Sequence, residues 1–111
     1  MAGALTTHVL DTSIGKPAAQ VKIDLWKLDS EKRFILGTFE TNQNGRIDYP
    51  LLEGEDLTEG VYELVFYVGT YFGKDTFLDK VPIQFSVTNK EEHYHIPLLI
   101  APGGYSTYRG S

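Results

Sequence analysis

Cysteine is missing from all 111 residues, which rules out a disulfide framework, a thiolate metal site and a cysteine nucleophile. The redox state of the compartment therefore leaves the chain untouched. Positive charge is also scarce: ten Lys and Arg stand against fifteen Asp and Glu, a formal net charge of −5 with no basic run. That balance argues against a nucleic-acid backbone or an anionic membrane as the main partner. No stretch approaches the ~20 apolar residues of a spanning helix. The opening "MAGALTTHVLD" has neither the positive n-region nor the apolar run of a signal peptide. The closing "RGS" is not a peroxisomal address of the SKL type. The expectation is a cytoplasmic protein, with the peroxisome left open if a presequence was removed. No serine sits in a nucleophile elbow, and no glycine-rich stretch has phosphate-loop spacing.

What the sequence does have is period-two alternation, the mark of strands with one buried face. "VPIQFSV" puts Val81, Ile83, Phe85 and Val87 on one side. "VYELVFYV" is apolar on both faces, Tyr62, Leu64 and Phe66 opposing Val61, Glu63 and Val65. It therefore reads as a mid-sheet strand or one with a face against another subunit. "SIGKPA", "NQNGR" and "LEGEDLTEG" supply the Gly, Asn and Pro that turns require. The rhythm predicts strands over 4–12, 20–29, 33–42, 45–50, 60–68, 80–88, 92–100 and 104–110, with a short helix over 69–77. Residues 1–111 read as a single all-β domain, a sandwich or barrel, long enough to bury roughly two thirds of its unfolded surface.

The three histidines all fall in predicted strands. His93 and His95 in "EEHYHIPLLI" are two apart, so both leave the face that Tyr94, Ile96 and Leu98 turn to the core. Both then face solvent or another chain. His8 in "LTTHVLD" shares a face with Thr6 and Leu10. Taken singly, such histidines read as exposed or singly bonded side chains. A three-histidine zinc site with an open water position is the chemical alternative, although nothing in the sequence sets His8 beside the other two. Arg46, after the N-G turn of "NQNGRID", reads either as a solvated strand end or as an anchor for a planar, carbonyl-rich ligand. The ending "GGYSTYRGS" carries two tyrosines and an arginine among its small residues, more chemistry than a slack tail needs.

"LTTHVLDTSIGKPAAQVKIDLW", "TNQNGRIDYPL", "GVYELVFYVGTYF" and "HYHIPLLIAPGGYSTYRGS" together, spanning Leu5 to Ser111, resemble the transthyretin-related hydrolase family. The G-x-P, T-N-x-x-G and G-x-Y-x-L framework is similar to that of many prealbumin-like modules. A closing Y-R-G-S, here Tyr108, Arg109, Gly110 and Ser111, marks the hydrolases and is lacking in the thyroid-hormone carriers of the same fold. The resemblance implies a transthyretin (prealbumin)-like sandwich of two four-stranded sheets with one short helix after the fifth strand. It also implies a homotetramer, a dimer of dimers, with sites at the dimer–dimer interface.

The implied activity is hydrolytic opening of the six-membered ring of 5-hydroxyisourate to 2-oxo-4-hydroxy-4-carboxy-5-ureidoimidazoline in urate degradation. It would run on His-activated water with no metal and no organic cofactor. His8, Arg46 and His95 match the family's site positions. On this resemblance His8 and His95 act as a base and its orienting partner, Arg46 binds substrate carbonyls, and Ser111 with its terminal carboxylate, supported by Tyr108, closes the pocket. His93 is carried over only as a neighbour. A small-molecule carrier and a non-enzymatic interaction module remain the rival readings.

Overall fold

The computed structural model describes residues 2–111. Strands β1 (Ala4–Asp11), β2 (Lys16–Pro17), β3 (Lys22–Asp29), β4 (Lys32–Glu40), β5 (Leu52–Glu53), β6 (Gly60–Phe66), β7 (Val81–Val87), β8 (His93–Ala101) and β9 (Gly104–Thr107) are joined by turns and one helix, α1 (Val68–Phe72). They form two sheets. One runs β2-β1-β8-β9, with β5 also paired to β1, and the other runs β4-β3-β6-β7. This is an all-β sandwich, and its five-membered sheet owes the extra strand to two-residue pieces flanking β1.

Alternation places the core between the sheets. On β1, Leu5, Thr7, Val9 and Asp11 point inward, and on β8, Tyr94, Ile96, Leu98 and Ile100 meet them. From the second sheet come Ile23, Leu25, Tyr62, Leu64 and Phe66, all at 0–1% exposure. β6 lies between β3 and β7, the interior position its two apolar faces predict. On its outer face Glu63 and Val65 are covered within the chain, each 8% exposed, with Arg33 and Gln84 bonded to the two Glu63 carboxylate oxygens, while Val61 stays open.

Three predicted elements end elsewhere. The strand expected over 45–50 is not one. Only Arg46 bridges to β1, and the ladder resumes at Leu52–Glu53, because Pro50 has no N–H to contribute and Tyr49 is turned outward at 70% exposure. The helix is shorter than 69–77, stopping at Gly73 in the left-handed region, φ 98°. The last strand ends at Thr107 rather than 110, since the chain leaves the sheet to donate the Gly110 N–H to the His95 carbonyl, 2.8 Å away.

β1 and β8 run parallel, which sets the site. Thr6 is registered against His95, and Ala4 against His93. Residues close to opposite ends of the sequence thus share one outer sheet face. Among the described residues no helix is long and apolar enough to cross a membrane.

Candidate active site

The outer face of the β1–β8 pair presents Thr6 and His8 from one strand and His93 and His95 from the other. Thr6 Oγ1 sits between the two imidazoles, 2.8 Å from His95 Nδ1 and 2.9 Å from His93 Nε2. Both histidines do face outward, as the alternation predicts, His93 exposed and His95 half-buried.

Arg46 reaches this face through a compact loop. The Asn42 side-chain oxygen accepts from the Asn44 and Arg46 amides at 2.8 and 3.1 Å, and the Asn42 N–H donates to the Arg46 carbonyl at 2.7 Å. Gly45 takes φ 74°, and its carbonyl accepts the Val9 N–H at 2.8 Å. A Cβ there would collide with the Val9 carbonyl, so glycine lets the loop lie on β1 and deliver Arg46 opposite His8.

The tail closes the arrangement from the other side. Arg109 donates to Glu92 Oε1 at 3.0 Å and to the His93 carbonyl at 3.2 Å, and its guanidinium stacks over the Tyr94 ring at 4.4 Å. That clamp brings Gly110 against His95, where a Cβ would collide with ring carbon Cδ2. Beyond it, Ser111 lines a cleft of about 330 Å³ with Thr6, Arg46, Tyr49, His93 and His95.

The electrostatics favour neutral imidazoles. Burial lowers the pKa of His95 below its ordinary 6.5, and the charges of Arg46, His93 and His8 push the same way. His8 is also lowered, by burial and then by Arg46, against a hydrogen bond with the Asn44 backbone that raises it. A neutral imidazole beside a guanidinium can accept a proton from water while the cation holds a carbonyl oxygen that gains negative charge.

Of the residues singled out in the sequence, Arg46, His95 and Ser111 meet in the cleft, with His93 as their neighbour. His8 stands at its margin, on the same face and within electrostatic reach of both Arg46 and His95. Tyr108 does not join them within the chain: it lines a separate groove with Phe85, Tyr94 and Arg109. Thr6 and Tyr49 enter unannounced. The alternation that exposes His8 also exposes Thr6, a usable signal; nothing in the sequence marks Tyr49. Among the described residues no group of three or more His, Cys, Asp or Glu side chains is placed to hold a metal ion.

The family model described as HIUase/Transthyretin matches residues 5–110. A 5-hydroxyisourate hydrolase of Halalkalibacterium halodurans is 50% identical, with 100% of each chain covered. The solved 5-hydroxyisourate hydrolase of Klebsiella pneumoniae is 37% identical and superposes with a TM-score of 0.84, covering 98% of this chain and 99% of that one. Transthyretin from Sparus aurata, 23% identical over 96% of each chain, has the same fold with a TM-score of 0.87.

Proposed function

The chain belongs to the HIUase/transthyretin family, and from that premise we propose that it is a hydrolase that opens the six-membered ring of 5-hydroxyisourate to 2-oxo-4-hydroxy-4-carboxy-5-ureidoimidazoline in urate degradation. Near full-length identity of 50% to a relative so named supports the activity. The observation that carries the mechanism is one cleft lined by His95, Arg46 and Ser111.

In this reading the flat substrate lies in the cleft with its carbonyls toward Arg46. Nδ1 of His95 is engaged by Thr6, so Nε2 is the nitrogen that takes a proton from water as the water oxygen bonds to the activated acyl carbon. Arg46 opposes the charge that builds on the carbonyl oxygen. The ring C–N bond then breaks, and the imidazolium returns its proton to the departing nitrogen. His8 orients water or substrate beside Arg46, and Ser111 closes the open side, with Tyr108 supporting the tail that carries it. Every group in the sequence of steps is a side chain of the protein, with no metal or organic cofactor invoked.

The reading includes a homotetramer, a dimer of dimers in which the site-bearing face of β1 and β8 meets its counterpart. What supports this is the half-exposed Leu10 and Leu99 on that face, which a second copy would cover. Cytoplasmic placement goes with the reading; antibody staining of the untagged protein in its source cells separates it from a peroxisomal one.

Generating 5-hydroxyisourate with urate oxidase and following its decay tests the activity directly. Added protein should speed the decay, and His95→Ala or Arg46→Ala should each lower turnover by about 10²-fold or more. Decay unchanged by the protein would sink the hydrolase reading, and full activity in both variants would sink the assigned site.

A further inference from the structure

We propose that Thr6 is a positioning residue whose hydroxyl, bonded at once to His95 Nδ1 and His93 Nε2, holds His95 in the tautomer with its proton on Nδ1 and its lone pair on Nε2. The inference rests on the hydrolase reading and deepens it by saying what leaves Nε2 of His95 bare and by giving His93 a part in it.

Proton counting carries the inference. A threonine hydroxyl has one proton to donate and two lone pairs to accept with. It lies within bonding distance of an imidazole nitrogen on each side, at 2.8 and 2.9 Å. When both rings are neutral, the hydroxyl can donate to only one of them, and the other nitrogen must carry a hydrogen. The chain therefore has two directions. In the first, His95 Nδ1–H donates to Thr6 Oγ1, whose own proton goes to His93 Nε2, and His95 Nε2 is left bare. In the second, His93 Nε2–H donates to Oγ1, the hydroxyl donates to His95 Nδ1, and His95 Nε2 carries hydrogen.

Only the first direction leaves a base pointing away from Thr6 toward the cleft. His93 makes that direction available, because it gives the Thr6 proton a destination other than His95. The geometry is fixed by the sheet: the parallel register sets Thr6 beside His95, and the two-residue spacing of the histidines puts both rings on the Thr6 side of β8. The pairing of a base with a hydrogen-bonded partner at its second nitrogen is the general means of choosing an imidazole tautomer.

The test uses Thr6→Val, which keeps the branched shape and removes the hydroxyl, beside Thr6→Ser, which keeps the hydroxyl. Thr6→Val should lower kcat by about tenfold or more with KM changed by less than about twofold, while Thr6→Ser stays close to the parent enzyme. Nitrogen-15 spectra of the imidazoles provide a readout independent of turnover: His95 should show hydrogen on Nδ1 in the parent and on Nε2 in Thr6→Val. His93→Ala, at a position exposed within the chain, should move His95 the same way and also lower kcat, with light scattering unchanged from the parent. The proposal is overturned if the His95 tautomer is the same in the parent, Thr6→Val and His93→Ala, or if Thr6→Ser falls as far as Thr6→Val. An inactive His95→Ala together with a fully active Thr6→Val removes the relay alone; a fully active His95→Ala removes the hydrolytic role of His95 itself.

Discussion

At the scale of single residues, the site depends on two places where a side chain is missing, Gly45 against β1 and Gly110 against His95. Gly110 lies so close to His95 that one added carbon would strike the ring, so Gly110→Ala should displace either the imidazole or the tail. A displacement near 1 Å is enough to cost about 10²-fold in turnover. Steady-state kinetics on Gly110→Ala should show that loss with the thermal midpoint nearly unchanged, since the residue lies at the surface end of the fold. The charge of Arg46 acts on both site histidines. Burial and that charge depress His8 and His95 below 6.5, so the neutral form persists as pH falls, and the acid limb of the kcat/KM profile should lie below 6.5. The sign for stability follows: the preference for neutral rings is fully present above 6.5 and is lost as pH falls through the lowered values. In Arg46→Gln, proton NMR titration should find both pKa values moved up toward 6.5; unmoved values would mean that burial alone sets them.

At the scale of elements, the strands were legible and their meeting was not. The alternation in "HYHIPLLI" correctly turned Tyr94, Ile96 and Leu98 inward and the histidines outward, because burial is written into period two. No local pattern says that β8 lies parallel to β1, since that pairing is chosen by the whole sandwich. The turn of the Asn42–Arg46 loop is legible in "NQNG", but the strand that the rhythm predicts after it cannot run through Pro50, which has no N–H for a ladder. The Tyr108–Ser111 tail could be flagged by its residues, but its exit from the sheet depends on Arg109 finding Glu92 and Tyr94. Helix α1 is tied down in the same long-range manner: the Tyr71 hydroxyl donates to Asp11 Oδ2 at 2.8 Å. Burial and this carboxylate push the Tyr71 pKa up to about 12. Tyr71→Phe leaves a buried carboxylate short of one donor, and urea unfolding should register a loss of about 1–3 kcal/mol.

At the scale of the whole molecule, the two sheets treat their outer faces differently. The β4-β3-β6-β7 sheet pairs its polar groups in the middle, with Glu63 bonded by Arg33 and Gln84 and the Trp26 ring beneath the Arg33 guanidinium at 4.2 Å, and leaves Phe34, Ile35, Leu36 and Val61 exposed. The other sheet leaves its site-bearing face half open. If that face is where pairs of subunits meet, Leu99→Asp would bury an uncompensated charge there, a cost of about 3–5 kcal/mol. Light scattering should then find dimers in place of tetramers, with turnover reduced and the β-type circular dichroism retained. A tetramer that persists in Leu99→Asp would remove Leu99 from that interface.

The parallel seam between β1 and β8 also governs when the protein can begin to work. Thr6 and His95 are 89 positions apart in the sequence, so their contact closes one of the longest loops the chain can make, and such contacts form late. During synthesis β1 waits with an unpaired edge until nearly the whole polypeptide has emerged. A nascent chain that has not yet released β8 cannot hold Thr6 beside His95, so the seam is a precondition of the site.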